Sequence, residues 1–172
     1  LLRVLYGGRA SIMIGITSAL ICTLFGLLLA LPAGFFGGAA DGTIRWLLDL
    51  IWSFPVYLLA VALAAALVVG GADIGPIHIE SSSLLIPILV IAVVYIPYIA
   101  RPIRGEVLAL RRTEFVEAAI SHGTRSTRVM FSEILPNVLP TAVVLFTLIV
   151  ATNILIEAGL SFLGVGVPLL TP

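Results

Sequence analysis

The sequence has no lysine, one cysteine, two histidines and 18 charged residues in 172, nine arginines against nine acids. Soluble domains carry charge on roughly a quarter of their residues. A chain that is 10% charged has too little polar surface to meet water on all sides, which argues against a cytosolic enzyme. The net charge is zero and no block of one sign occurs, so electrostatic capture of nucleic acid is not expected. Without lysine the chain cannot contain a phosphate-binding loop ending in Gly-Lys-Ser/Thr. Cys22 cannot pair within the chain and reads as a small packing residue. With the distant His78 and His122 it makes no metal set.

What is abundant is apolar: 60% of the residues, with a mean hydropathy of +1.22. Four uncharged stretches separate the charges, Ala10 to Ala40, Leu50 to Ala72, Ser81 to Ala100 and Ile134 to Ile156, of 31, 23, 20 and 23 residues. A helix rises about 1.5 Å per residue, so ~20 residues cross the ~30 Å hydrocarbon layer, and each stretch is long enough. They are continuous, unlike the short alternating strands of a barrel. The expected fold is therefore all-α, a polytopic membrane helix bundle in one domain over residues 1–172, with spans near 11–36, 50–69, 84–100 and 136–157 and a polar loop over 101–135. Apolar character begins near the first residue without a signal-peptide n-region or cleavage site, as in mature membrane protein.

Arginine distribution gives the orientation, because cytoplasmic loops near helix ends are enriched in it. The stretch from Arg101 to Glu133 holds six of the nine arginines, while Gly70 to Ser83 has Asp73 and Glu80 and none. The first loop is thus inside and the second outside; parity puts Arg45 inside and Arg3 and Arg9 outside. Trp46, Trp52, Tyr57, Tyr95 and Tyr98 fall near the inner ends of spans, as interface anchors do. Pro32, Pro55, Pro87 and Pro97 in or beside the apolar stretches suit kinked helices of a bundle. Asp49 is positioned either to pair with Arg45 at i and i+4 or to end its span in water.

The 101–135 loop is the one polar segment long enough to fold against something. Glu114 to His122 is a good helix-forming run stopped by Gly123, a natural left-handed C-cap. Phe115, Ala118, Ala119 and His122 share one face, and Glu114 and Glu117 lie near the N-terminus, where the helix dipole favours acids. A second helix is expected to start near Thr124 or Ser126, capped by their hydroxyls, and to run through Leu135 into Pro136. Two adjacent alanines leave the first helix slim enough to enter a protein groove, where burying Phe115 contributes roughly 2 kcal/mol. Spacing alone suits a helix lying on lipid headgroups equally well.

Glu117-Ala118-Ala119, three residues, Gly123, nine residues, then Glu133-Ile134-Leu135-Pro136 resembles the EAA-x3-G-x9-I-x-LP signature of permease subunits of prokaryotic ABC importers. The first Ile of I-x-LP is replaced by Glu133. Tyr6-Gly7-Gly8-Arg9-Ala10-Ser11, Gly34-Phe35-Phe36-Gly37-Gly38 with Asp41, Asp49 and Pro55, Ala100-Arg101 with Arg104-Gly105, and Asn137, Glu157-Ala158 and Leu160-Ser161-Phe162-Leu163-Gly164 extend the similarity to the dipeptide, oligopeptide and nickel branch over essentially the whole chain. The resemblance implies a type I permease-like fold lacking the first and last of six helices. It makes residues 114–123 a cytoplasmic coupling helix seated in a separate ATPase subunit, with Glu114, Phe115, Glu117, Ala118, Ala119, His122, Gly123, Ile134, Leu135 and Pro136 as the coupling residues. It also implies a second permease subunit, an extracytoplasmic solute-binding protein and the lipid bilayer as partners. ATP and Mg would be bound by the ATPase, no cofactor by this chain, and di- or oligopeptides or nickel would be the cargo.

Asn153 and Glu157, four apart on one face near the outer end of the last span, are the candidate pathway residues, with a structural role as the alternative. Two rival functions compete with this reading. A hydrolase lacks a nucleophile with a base: the two histidines fall on opposite sides of the membrane, and Gly159 to Gly164 misses the Gly-x-Ser-x-Gly elbow by one residue. An ion-coupled secondary carrier would also use broken helices and a few intramembrane acids.

Overall fold

The computed structural model describes residues 2–70, 72–74, 77–79 and 84–164. Seven α-helices account for most of them: α1 (Leu2–Phe36), α2 (Gly38–Trp52), α3 (Val56–Gly70), α4 (Leu85–Leu110), α5 (Glu114–Ser121), α6 (Ser126–Val129) and α7 (Leu135–Phe162). A π-helical turn, Met130–Ile134, joins α6 to α7. Among the described residues, three helices are long and apolar enough to cross a membrane, four if α2 and most of α3 count as one broken span. One feature outside the all-helical expectation is an antiparallel pair of three-residue strands, β1 (Ala72–Ile74) and β2 (Ile77–Ile79), in the loop read as external. The side chains of Arg3, Tyr6, Asp73, His78 and Glu80 lie outside the described part.

The extents differ from expectation in two informative places. The stretch 50–69 is interrupted at Ser53–Pro55, because Pro55 has no N–H to donate to the preceding turn. α4, by contrast, continues ten residues past Ala100 through Pro102, because Ile103 and Val107 are fully buried and hold the last turns in place.

The chain forms two compact units. The first comprises the described residues among 1–21, 52–95 and 148–172. Its interior holds Ile14, Ala19, Ala60, Ala64, Ile91, Val94, Ile156 and Leu160. α1 meets α7 where a Cβ on Gly15 would stand 2.5 Å from Ile154 Cγ1, and α7 meets α3 where one on Gly159 would stand 2.8 Å from Tyr57. Tyr95, expected at an interface, is 5% exposed in this core.

The second unit comprises residues 22–51 and 96–147. Its core is Cys22, Ala30, Ala33, Leu48, Ile99, Ile103, Val107, Val116, Ile134 and Val138. α1 approaches α4 so closely that a Cβ on Gly26 would lie 2.5 Å from Ile99 Cγ2, and one on Gly34 would lie 2.7 Å from Val107 Cβ. In lipid, where apolar burial gives helices no reason to associate, such backbone proximity is what dispersion and packing require.

Candidate coupling surface and buried polar groups

α5 is short but well fastened. Val116 is its one fully buried side chain and pins the helix from within, while Ala119 is half-buried. The opposite face is outward: Phe115 is 42% exposed, and Glu114, Ala118, Ser121 and His122 are also exposed. Ile120 is exposed on the flank, so two large apolar side chains of an eight-residue helix meet solvent. Three of the four residues expected on a shared face are thus brought together on the surface. Glu117 is exposed beside them.

The end of α5 is fixed by backbone geometry. Gly123 has φ +81°, its N–H donates to the Ile120 carbonyl at 2.9 Å, and the Thr124 N–H donates to Ala119 at 3.2 Å. These are the 5→2 and 6→1 bonds of a Schellman turn, in which the left-handed residue reverses the chain without a Cβ penalty. The start is less conventional: Thr113 occupies the N-cap but its hydroxyl donates back to the Leu110 carbonyl at 2.6 Å.

α6 starts at Ser126 as expected, but from an Arg125 N-cap and without a side-chain cap, so the hydroxyls of Thr124 and Ser126 do not serve that purpose. The larger departure is the π turn at Met130–Ile134, where the Leu135 N–H bonds the Met130 carbonyl five residues back. Pro136 offers no N–H to Ser132, so a regular ladder could not have been completed here. The Asn137 amide donates instead to the Glu133 carbonyl at 2.6 Å, and Ser132 Oγ to the Arg128 carbonyl at 2.8 Å. Ile134 is fully buried, Leu135 half-buried and Pro136 exposed. Glu133, the departure from the motif, therefore sits in the π turn, with its side chain accepting from Ser132 Oγ at 3.0 Å.

Two ion pairs tie α2 to α4. Arg104 grips Asp41 with both a Nε–Oδ1 bond and a Nη2–Oδ2 bond of 2.6 Å, and Arg101 pairs with Asp49. Asp49 thus pairs not with Arg45 but with an arginine 52 residues away, and its side chain stays 58% exposed. Charge spacing within a helix could not reveal that contact. The hydrogen bonds from Arg104 hold the Asp41 carboxyl below its ordinary range against the opposing effect of desolvation, with smaller help from the charges of Arg104 and Arg45. A depressed folded-state pKa means the pair stabilises the fold at neutral pH and its contribution disappears as pH falls through the carboxyl range. Asp41→Asn is accordingly expected to lower the melting temperature in detergent at pH 7, by the equivalent of roughly 2 kcal/mol for a charged hydrogen-bond pair. The difference from wild type should hold near neutral pH and shrink only as pH falls through the ordinary carboxyl range and below it, and a difference that stays constant there would dismiss the titration of Asp41 as its origin.

Within the first unit Asn153 is fully buried and Glu157 is 2% exposed. The Asn153 amide meets Ser18 Oγ of α1 at 2.8 Å. With its Oδ1 turned to Ser18 it also accepts from the Ala19 N–H at 3.2 Å while Nδ2 donates to Ile149 at 3.3 Å. Glu157 accepts a hydrogen bond from Ser161 Oγ at 2.7 Å. The sequence reading missed Ser18 and its neighbours. The available signal was the run of small residues at every fourth position of α1, Ser18, Cys22, Gly26, Ala30 and Gly34, which are all buried.

Residues 10–172 match the family model described as binding-protein-dependent transport system inner membrane component. The chain belongs to this family. Among similar family members are a dipeptide transport system permease protein of Alkalihalophilus pseudofirmus, 37% identical over 164 residues (95% of this chain, 50% of the relative), and an oligopeptide transport system permease protein of Bacillus subtilis, 33% identical over 166 residues (96% and 50%). A glutathione transport system permease protein of Pectobacterium atrosepticum is 34% identical over 164 residues (95% and 50%). The chain spans about half the length of the curated relatives it matches. Family membership and the apolar helices make it a multi-pass component of a prokaryotic inner membrane.

Proposed function

We propose that this chain is part of a permease subunit of an ATP-binding cassette importer. In this reading it forms one portion of the path for di- or oligopeptides, and α5 couples that path to ATP hydrolysis on a separate ATPase subunit. A second permease subunit and an extracytoplasmic binding protein complete the assembly. The observation that carries the reading is the outward face of α5, where Phe115, Ala118 and His122 stand exposed on a helix pinned by Val116. A slim apolar face on a rigid rod has the form of a plug for a cleft in another protein. Relatives that serve dipeptide and oligopeptide transport favour peptides as cargo over nickel.

Movement of α5 would reach α4 through the 111–113 turn and α7 through Gly123, α6 and the π turn. Such a turn is a place where a helix can change register at low cost, which suits a lever arm. Asn153 and Glu157 then act on the path through the position of α7 against α1. Phe115→Asp puts a charge in the centre of the docking face, and is expected to abolish recovery of the ATPase subunit with the detergent-solubilised permease while membrane levels of the permease stay normal. Undiminished co-purification would refute the docking face. Transport that survives removal of the ATPase but collapses with a proton or sodium ionophore would favour an ion-coupled carrier instead.

A further inference from the structure

Arg45, Leu48 and Asp49 of α2 and Arg101 and Arg104 of α4 line a pocket of ≈ 250 Å³. Its charges do not balance. Asp41 is committed to Arg104 through both carboxylate oxygens, and Asp49 to Arg101. Arg45 lies between the two acids, one helical turn from each, and is in ion-pair contact with neither among the described residues. Three arginines against two aspartates leave one positive charge, and the Arg101–Asp49 pair is open to the surroundings, with side chains 35% and 58% exposed.

The chemistry that balances this pocket is a singly charged phosphodiester. The geometry points to the headgroup phosphate of an anionic phospholipid from the inner leaflet as its occupant. The position is right for a lipid: the arginine distribution places this end of the molecule on the cytoplasmic side, where anionic headgroups and basic pockets meet. The surroundings are right as well. Trp46, Leu47 and Leu50 on the same helix are 65%, 41% and 47% exposed, an apolar flank on which acyl chains can lie while the phosphate reaches Arg45. A soluble phosphate would have no use for that flank. The site does not depend on coupling by α5, since none of its residues belongs to that helix.

The test uses the complete permease in phosphatidylcholine vesicles, with every tryptophan except Trp46 replaced by phenylalanine. Quenching of Trp46 is compared for brominated phosphatidylglycerol and brominated phosphatidylcholine at equal mole fraction. A preference for the anionic lipid of about fivefold is expected, the selectivity one basic side chain confers near a charged headgroup. Arg45→Gln should reduce it to parity, whereas Asp49→Asn, which adds a net positive charge, should raise it. Equal quenching by the two lipids in the unsubstituted pocket, or a preference that Arg45→Gln leaves untouched, overturns the proposal. Loss of the preference on adding millimolar inorganic phosphate, at constant ionic strength, assigns the pocket to a soluble anion and overturns the lipid.

Discussion

Gly123→Pro is expected to leave the permease in the membrane and to reduce ATP-driven uptake of a labelled dipeptide at least tenfold in proteoliposomes containing the ATPase and binding protein. The reasons are local. Proline holds φ near −65° and carries no N–H, whereas this position has φ +81° and its N–H closes the end of α5 on Ile120. The substitution forbids both, so the rod loses its fixed end and its angle to α6. It does so without disturbing the core, because a Cβ at this position would meet nothing within 4 Å. That separates a failed lever from a failed fold. Gly123→Ala is the graded control: it keeps the N–H and suffers only the left-handed backbone strain of roughly 1–2 kcal/mol, so uptake should fall far less. If Gly123→Pro transports normally, α5 does not act as a rigid coupling element.

Much of this geometry can be read from the chain, and the limits are physical. Composition, run lengths and arginine placement locate the apolar helices because the bilayer imposes a length and a charge rule that act residue by residue. The end of α5 is legible for the same reason: Gly after a helix-forming run is a local signal, and Gly123 carries it. The π turn is not legible, since Pro136 and the bond from the Asn137 side chain to Glu133 are local but the burial of Ile134 that accompanies them is set by packing. Nor are the Asp41–Arg104 and Asp49–Arg101 pairs, each joining residues 63 or 52 positions apart. The outward direction of Phe115 lies between these cases. Periodicity groups it with Ala118 and His122 but cannot say which side faces the protein until Val116 is seen buried.

Gly26→Leu is expected to be the most disruptive single change in the apolar helices. A Cβ alone would sit 2.5 Å from Ile99 Cγ2, 2.7 Å from Ile99 Cβ and 3.4 Å from the Ala100 nitrogen. The obstacle is the root of a β-branched side chain in a helix, which has one strongly preferred χ1 and cannot swing aside. α1 and α4 must therefore separate, or one must bend. Overpacking of this kind costs typically 1–3 kcal/mol for a few extra methylenes, and leucine adds four carbons beside backbone, so little folded permease should survive extraction. Size-exclusion profiles and thermal melts in detergent report this directly. The sharper comparison is Gly26→Ala with and without Ile99→Ala. The single substitution should lower the melting temperature, and the double should recover only part of the loss, because Ile99→Ala removes the Cγ2 that the new methyl meets at 2.5 Å but keeps the Cβ at 2.7 Å. If the two substitutions simply add, the close approach of Gly26 to Ile99 is not what holds α1 against α4.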